Sequence, residues 1–252
     1  MNSFKYILTS LGLGLLSIIA FSSNPPSIFD QRLYHCYQSG NMREWVIVIS
    51  ELEIQNSQRP STETLFSIAQ AQYGYIGYLI GIGDSKKARE IISKAEKNVE
   101  KILSSQPNNA DAMAIKASLL IFQISISPFK APFLGPRSMS MIDEAYKKND
   151  KSPQAILEKA NALHYAPAFV GGNPLEAVKY YTRAIIAFEN QNNGNPPQLW
   201  LYLNTLAQLA LAYEKSNQPL KAKHTYNEIL SIAPDFKWVK DELYPAFEER
   251  KK

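Results

Sequence analysis

Histidine, cysteine and paired acids carry most enzyme chemistry, and this chain uses them sparingly. Its three histidines, His35, His164 and His224, are far apart. No HExxH or comparable spacing puts two of them on one helix face toward a metal. The single cysteine, Cys36, lies on a helical pattern among tyrosines with no histidine or acid to activate it. It reads as a packed core residue rather than a nucleophile, and one thiol makes no internal disulfide. No Ser-His-Asp set or carboxylate pair can be assembled, because the acids fall on solvated helix faces. Gly171-Gly172 precedes a helix, where backbone N–H groups can hold an anion. No strand precedes them and no Lys-Ser/Thr pair follows, so a chain reversal accounts for both glycines. The chain therefore reads as non-enzymatic, with no cofactor and no metal.

Whatever chemistry remains is recognition, and paired helices must position it. In Leu203 to Pro234, the residues Leu206, Leu209, Ala210 and Tyr213 recur at helical spacing, and Ala222, Tyr226, Ile229 and Leu230 do so again after a break at Ser216-Asn217-Gln218-Pro219. Small residues stand where two helices must approach closely, and a proline closes the unit after about 34 residues. This stretch resembles a tetratricopeptide repeat (TPR). The resemblance implies an all-α fold, a right-handed α-α superhelix of about five helix pairs at 26–57, 61–106, 108–150, 152–190 and 198–234, with a capping helix at 235–250.

With 252 residues, 45% of them hydrophobic, the chain can bury one substantial core. Its net charge of +4, from 27 basic and 23 acidic residues, is scattered rather than gathered into a stripe, which argues against a nucleic-acid partner. Residues 1–22 carry Lys5, an apolar run from Ile7 to Phe21 and small residues fit for cleavage. They read as a secretory signal peptide, with residues 23–252 as a single mature domain. The alternative is an uncleaved N-terminal anchor in the inner membrane, because the run falls little short of the roughly 20 residues a span needs. Export, with a periplasmic destination and no membrane span after cleavage, is the expectation. The sequence leaves open whether the protein forms oligomers.

The first pair departs from the repeat: Trp45 holds a place normally taken by alanine, so the helices should be pushed apart or the indole should turn to a neighbouring repeat. In the second pair Gly74, Gly77 and Gly81 line one helix at i, i+3 and i+7, interleaved with Tyr73, Tyr75 and Tyr78. Each glycine costs a helix about 1 kcal/mol relative to alanine. Either another helix approaches the bare face or a gap is left for a ligand. The prolines and phenylalanines from Pro128 to Pro136 predict irregular chain there, and Pro245 predicts a break or kink at Tyr244.

The equivalent small positions lie twelve residues apart in the fifth pair (Ala210, Ala222), but seventeen in the fourth (Ala160, Ala177), twenty-one in the third (Ala117, Ser138) and nineteen in the second (Ala69, Ala88). Extra residues thus sit between the two helices of the middle pairs, and in a solenoid such connections emerge at one edge. That edge would carry Phe129, Phe133, Tyr165 and Phe169, either for recognition or packed on one another. Repeat registry also places Gln70, Tyr73, Asn161, His164, Asn204, Gln208 and Leu211 on a concave groove, where amide side chains suit an extended peptide.

Leu134-Gly135-Pro136, Tyr165-Ala166-Pro167, Phe169-Val170-Gly171-Gly172 and Trp200 are similar to a pattern in exported TPR-like proteins common in Bacteroidetes, from which Val170 is a departure. That resemblance implies fold and envelope location and no activity. A more distant similarity is to the periplasmic T-component of TRAP transport systems, which implies cooperation with a substrate-binding protein. Two functions follow: a scaffold for a protein or peptide partner in the envelope, or a ligand-handling transport component with an apolar cavity near Tyr73, Tyr75, Tyr78, Phe133 and Phe169.

Overall fold

Residues 26–250 are described by a computed structural model, and the leader read at 1–22 lies outside them. Ten helices form five antiparallel pairs: α1 (Ile28–Ser39) with α2 (Met42–Gln58), α3 (Thr62–Gly81) with α4 (Ser85–Ser105), α5 (Ala110–Ile126) with α6 (Ala131–Lys148), α7 (Pro153–Tyr165) with α8 (Pro174–Gln191), and α9 (Trp200–Lys215) with α10 (Pro219–Ile232). A π-helical turn at Trp238–Leu243 leads into the short α11 (Tyr244–Glu249). No strand occurs among the described residues. The architecture is an all-α helical-repeat superhelix.

Local chemistry sets the helix starts. Ser27, Asn41, Ser61, Asp84, Asn109, Ser152 and Asn173 each stand at an N-cap and accept an N–H from the first turn. Such a cap contributes about 1 kcal/mol. Within pairs, the small residues let the helices close: Ala210 and Ala222 are fully buried between α9 and α10, as are Ala160 and Ala177 between α7 and α8. Each second helix then packs on the first helix of the following pair, and α3, α5 and α7 run side by side.

Two proline segments show how context decides. The stretch expected to be irregular is helical: a 3-10 turn at Pro128–Lys130 runs directly into α6, which contains Pro136. Pro136 offers no N–H to the carbonyl of Pro132, but both prolines are exposed, so water can satisfy that carbonyl. Pro245 does interrupt regular α-helix. The wide π turn precedes it, and α11 begins at Tyr244.

The arc closes on itself. α1 packs against α9, and Trp45 turns inward to neighbouring repeats rather than wedging α1 from α2. Its indole Nε1 donates to the Ala71 carbonyl at 2.9 Å, and its ring meets Trp200 edge-on with centroids 5.2 Å apart. Tyr37 packs on Trp200 and Phe236 and donates its hydroxyl to Asn204 Oδ1 at 2.9 Å. Gly74 is the floor of this cluster. A Cβ there would lie 2.8 Å from Trp45 and 2.9 Å from Trp200, whereas Gly77 and Gly81 face open space. One of the three helical glycines is therefore explained by close approach, of two indoles rather than a helix backbone.

Gly74→Ala should destabilise the protein by about 1–3 kcal/mol through overpacking. Gly77→Ala, where nothing stands in the way of a methyl group, should stabilise it by up to about 1 kcal/mol through helix propensity. Urea midpoints at unchanged m-value would show the opposite signs; equal shifts would mean that the indoles do not rest on Gly74.

Candidate functional site

The residues placed on a concave groove by registry come together, but they bond to one another. Gln70 Nε2 donates to Gln154 Oε1 at 3.2 Å, and Gln154 Nε2 donates to Glu158 Oε1 at 2.7 Å. Asn161 Nδ2 donates to Glu158 Oε2 at 3.0 Å, while Asn161 Oδ1 accepts from the Tyr181 hydroxyl at 2.8 Å. The Tyr73 hydroxyl approaches the same Glu158 carboxyl, and Ser118, whose hydroxyl donates to the Ala114 carbonyl at 3.2 Å, stands beside it. A chain of polar groups thus crosses the inner side from α3 to α8.

His164 ends the chain. Its Nδ1 is 3.2 Å from the Tyr181 oxygen. The Tyr181 proton is already directed at Asn161, so the network assigns the imidazole proton to Nδ1, which donates to Tyr181. The ring stacks on Tyr165 at 4.4 Å, and the backbone carbonyl accepts from Lys215 Nζ at 2.5 Å. Burial, with Lys215 adding to it, holds the imidazole pKa down at about 4.

Glu158 is not singled out by the sequence, since it reads as one more acid on an amphipathic helix. It is 3% exposed, has no cationic partner among the described residues, and burial pushes its pKa up against the pull of the hydrogen-bonding groups around it. With Gln154, Tyr181 and His164 the carboxyl is buried, and Gln70 and Asn161 are the half-buried members of the network. The network holds α3, α7 and α8 in register.

The remaining groove residues are committed in the same way. Asn204 accepts from Tyr37, and the Tyr165 hydroxyl donates to Gln208. The groove expected to be open for a peptide is filled by the protein's own side chains. α1 closes the arc, which repeat registry could not reveal because α1 and α9 are distant in sequence. Tyr73 is buried against Phe122 and Trp200, and Tyr75 and Tyr78 stack on each other at 6.1 Å. Phe133 and Phe169 are 80% and 88% exposed. The five aromatics expected to border one apolar cavity do not line one. Cys36 is buried and burial pushes its thiol up to about 11, as suits a core residue.

The edge bearing the first-to-second helix connections is different. Arg89 at the start of α4 donates to Ser127 at the end of α5 (3.0 Å), and Lys215 at the end of α9 reaches the end of α7. Four connections thereby share one edge. It exposes Tyr78 and Ile82 after α3, Phe129 and Phe133 after α5, Tyr165, Phe169, Val170 and Leu175 after α7, and Leu220 after α9. Phe129, 77% exposed, does not pack with Phe133 or Phe169 to seal the helices. Gly171 and Gly172 make the α7–α8 reversal: Gly171 has φ +97°, and a Cβ on Gly172 would strike the Ala166 carbonyl. Asn173 caps the following helix, so no anion site is needed to explain the pair.

Two clefts open to solvent. One, of about 320 Å³, is formed by α8, α9 and α10 and is lined by Ile185, Ile186, Leu206 and Leu209 together with Thr182, Glu189, Tyr213, Lys221, His224 and Glu228. The other, of about 240 Å³, lies where α4, α5 and the turn at Pro128–Lys130 meet, and is lined by Arg89, Ile92, Ser93, Glu96, Gln123, Ile126 and Lys130. Sequence reading misses both, because each draws on residues from non-adjacent turns. Among the described residues, no cluster of three His, Cys, Asp or Glu is placed to hold a metal ion.

No protein-family model matches this chain, and no curated protein matches it. Solved structures share its fold, among them the following two. The HusA haemophore from Porphyromonas gingivalis is similar over 68% of this chain and 85% of its own, at 15% identity and a TM-score of 0.57. A thermophilic TPR protein from Thermus thermophilus is similar over 84% of this chain and 93% of its own, at 14% identity and a TM-score of 0.56.

The network sets a pH dependence whose sign can be worked out. His164 has a folded pKa of about 4 against an ordinary 6.5, so its contribution is present above 6.5 and is lost as pH falls toward 4. His164→Gln should remove roughly 1–3 kcal/mol of that acid loss. Glu158, raised by burial, acts oppositely and gains as pH falls, so Glu158→Gln should steepen the loss. Urea unfolding at a series of pH values between 4 and 7 reads both slopes; parallel curves for all three proteins would reject the assignment.

Proposed function

We propose that the protein is a non-enzymatic, exported helical-repeat scaffold that binds a protein or peptide partner in the cell envelope on its outer surface. The observation carrying this is the cleft between α8 and α10. Apolar Ile185, Ile186, Leu206 and Leu209 line it together with polar and charged side chains, and it is open to solvent. An amphipathic segment laid there would bury its apolar face on Ile185, Ile186, Leu206 and Leu209 and leave its polar face beside Lys221, His224 and Glu228. The inner side offers nothing comparable, because its amides and hydroxyls are paired with each other. Likeness to a TPR protein supports a scaffold by fold.

The transport-component reading needs an enclosed apolar cavity, and the aromatics that would border it are buried apart or exposed. Likeness to a haemophore makes haem the sensible small ligand to test beside peptides.

Peptides selected from a random library against the full chain should compete with one another for this cleft. Ile186→Glu, at a half-exposed position, should weaken them by about tenfold, the cost of placing a charge on an apolar contact. Selected peptides that bind Ile186→Glu as well as the wild type would refute the cleft. Tight, saturable haem binding without peptide binding would turn the reading to ligand carriage.

A further inference from the structure

The edge of the four first-to-second connections is the least balanced surface of the molecule. Fourteen large apolar side chains are exposed among the described residues, and nine of them lie on this edge. The connections at the other end of the helices, around residues 59–61, 106–109, 149–152 and 192–199, contribute none and are built mainly of Asn, Gln, Pro, Ser and charged residues. A single exposed apolar side chain is ordinary, but nine gathered on one edge and none on the opposite connections mark a surface that something covers.

The charges on this edge lean basic, with Lys86, Lys87, Arg89, Lys130, Arg137 and Lys179 against Asp84, Glu90, Glu96 and Glu176. Its acids are already engaged: Asp84 caps α4, Glu90 pairs with Lys87, and Glu176 pairs with Lys179. Lys86, Lys130 and Arg137 form no ion pair among the described residues. The 240 Å³ cleft opens beside Phe129, with Arg89, Ser93 and Lys130 as donors over Ile92 and Ile126. Glu96 also lines it, bonded to Gln123 and attracted by Lys130.

From these placements we infer that this edge docks peripherally on an anionic lipid surface. The phenylalanines would enter the headgroup region, and Lys86, Lys130 and Arg137 would meet lipid phosphates, one of which the cleft beside Phe129 can receive. Phe129 and Phe169 stand on connections of different repeats, which packing separates by about 8–10 Å per helix layer. A bilayer interface accepts separate protrusions of this kind, whereas a protein partner would need a matched pocket for each. Aromatic rings and long cationic side chains are the groups that settle at headgroup depth. No described helix is long and apolar enough to cross a membrane, so the contact is superficial. This inference does not rest on the α8–α10 cleft.

The test uses the full chain with vesicles of phosphatidylcholine, alone or with about one-third phosphatidylglycerol, and reads co-sedimentation and amide hydrogen exchange. Wild type and variants share the same leader, so differences between them report on the edge. Anionic vesicles should slow exchange in 127–137 and 166–172 and not in 192–199. Phe129→Ser/Phe133→Ser/Phe169→Ser should weaken vesicle binding by about tenfold or more. Lys86→Glu/Lys130→Glu/Arg137→Glu should abolish the preference for anionic vesicles. Arg59→Glu/Lys101→Glu, near the opposite edge, should match wild type. Each substituted side chain is at the surface or beside it, and unchanged thermal melting would show that the variants fold. The inference is overturned if vesicles leave exchange in both segments unchanged, if neutral and anionic vesicles act alike, or if the two edge variants bind as wild type does. A protein that protects these segments where vesicles do not would overturn it equally.

Discussion

The structure depends on two indoles meeting over a glycine. Trp45 and Trp200 come from the second and ninth helices, and they can touch only because residue 74 of the third has no side chain. Tyr37, Tyr73 and Phe236 pack around them, which draws the first pair onto the fifth. Each large aromatic buried in this way contributes on the order of 2–3 kcal/mol. That gain outweighs the roughly 1 kcal/mol that Gly74 costs its helix, and also the Trp200 Nε1 donor left buried without a partner. Such a donor costs about 1–3 kcal/mol. The closure is therefore favourable, but it uses up the inner face on which helical-repeat proteins commonly present a groove.

Closure explains why a carboxylate with no cation can stay at the centre. Glu158 would be costly to bury alone, yet Gln154 and Asn161 of its own helix supply donors and the Tyr73 hydroxyl of α3 lies beside them. The network cannot be half formed without leaving one of these groups unsatisfied. It therefore specifies the relative register of α3 and α7 more sharply than apolar packing would. The same argument separates it from an active site: its members are placed for each other and not for a third molecule.

What is legible in the sequence is whatever local spacing determines. Ala210 and Ala222, at the spacing of a repeat, announce a helix pair, and Ser61, Ser152-Pro153 and Asn173-Pro174 announce helix starts. The longer intervals from Ala69 to Ala88 and from Ala117 to Ser138 reflect long helices, which spacing alone does not distinguish from long loops. Pro132 and Pro136 resemble breakers because their exposure, which lets water replace the lost bonds, is a tertiary property. Registry puts the groove residues on the inner side, where the structure has them bond to one another. Registry shows which residues of a repeat face inward, and not whether α1 will come round to meet them. Glu158 gives no signal at all, since the i, i+4 pattern of α7 does not distinguish a solvated acid from one covered by another repeat.

The consequence for function follows from where the free chemistry remains. A closed arc leaves its outer clefts and its two edges, and those edges differ in kind. At one, the turns between pairs are rich in Asn, Pro and Ser, which bond their own backbone and present little for a partner to hold. At the other, the α5–α6 and α7–α8 turns bring phenylalanines to their tips. The local folding need for those residues is small: Phe129, Phe133 and Phe169 stand in solvent and bury almost nothing. A side chain that stabilises nothing in the free protein and carries a large transfer free energy stabilises what it joins. The asymmetry of the edges thus points outward from the fold, toward a surface that the isolated chain does not contain.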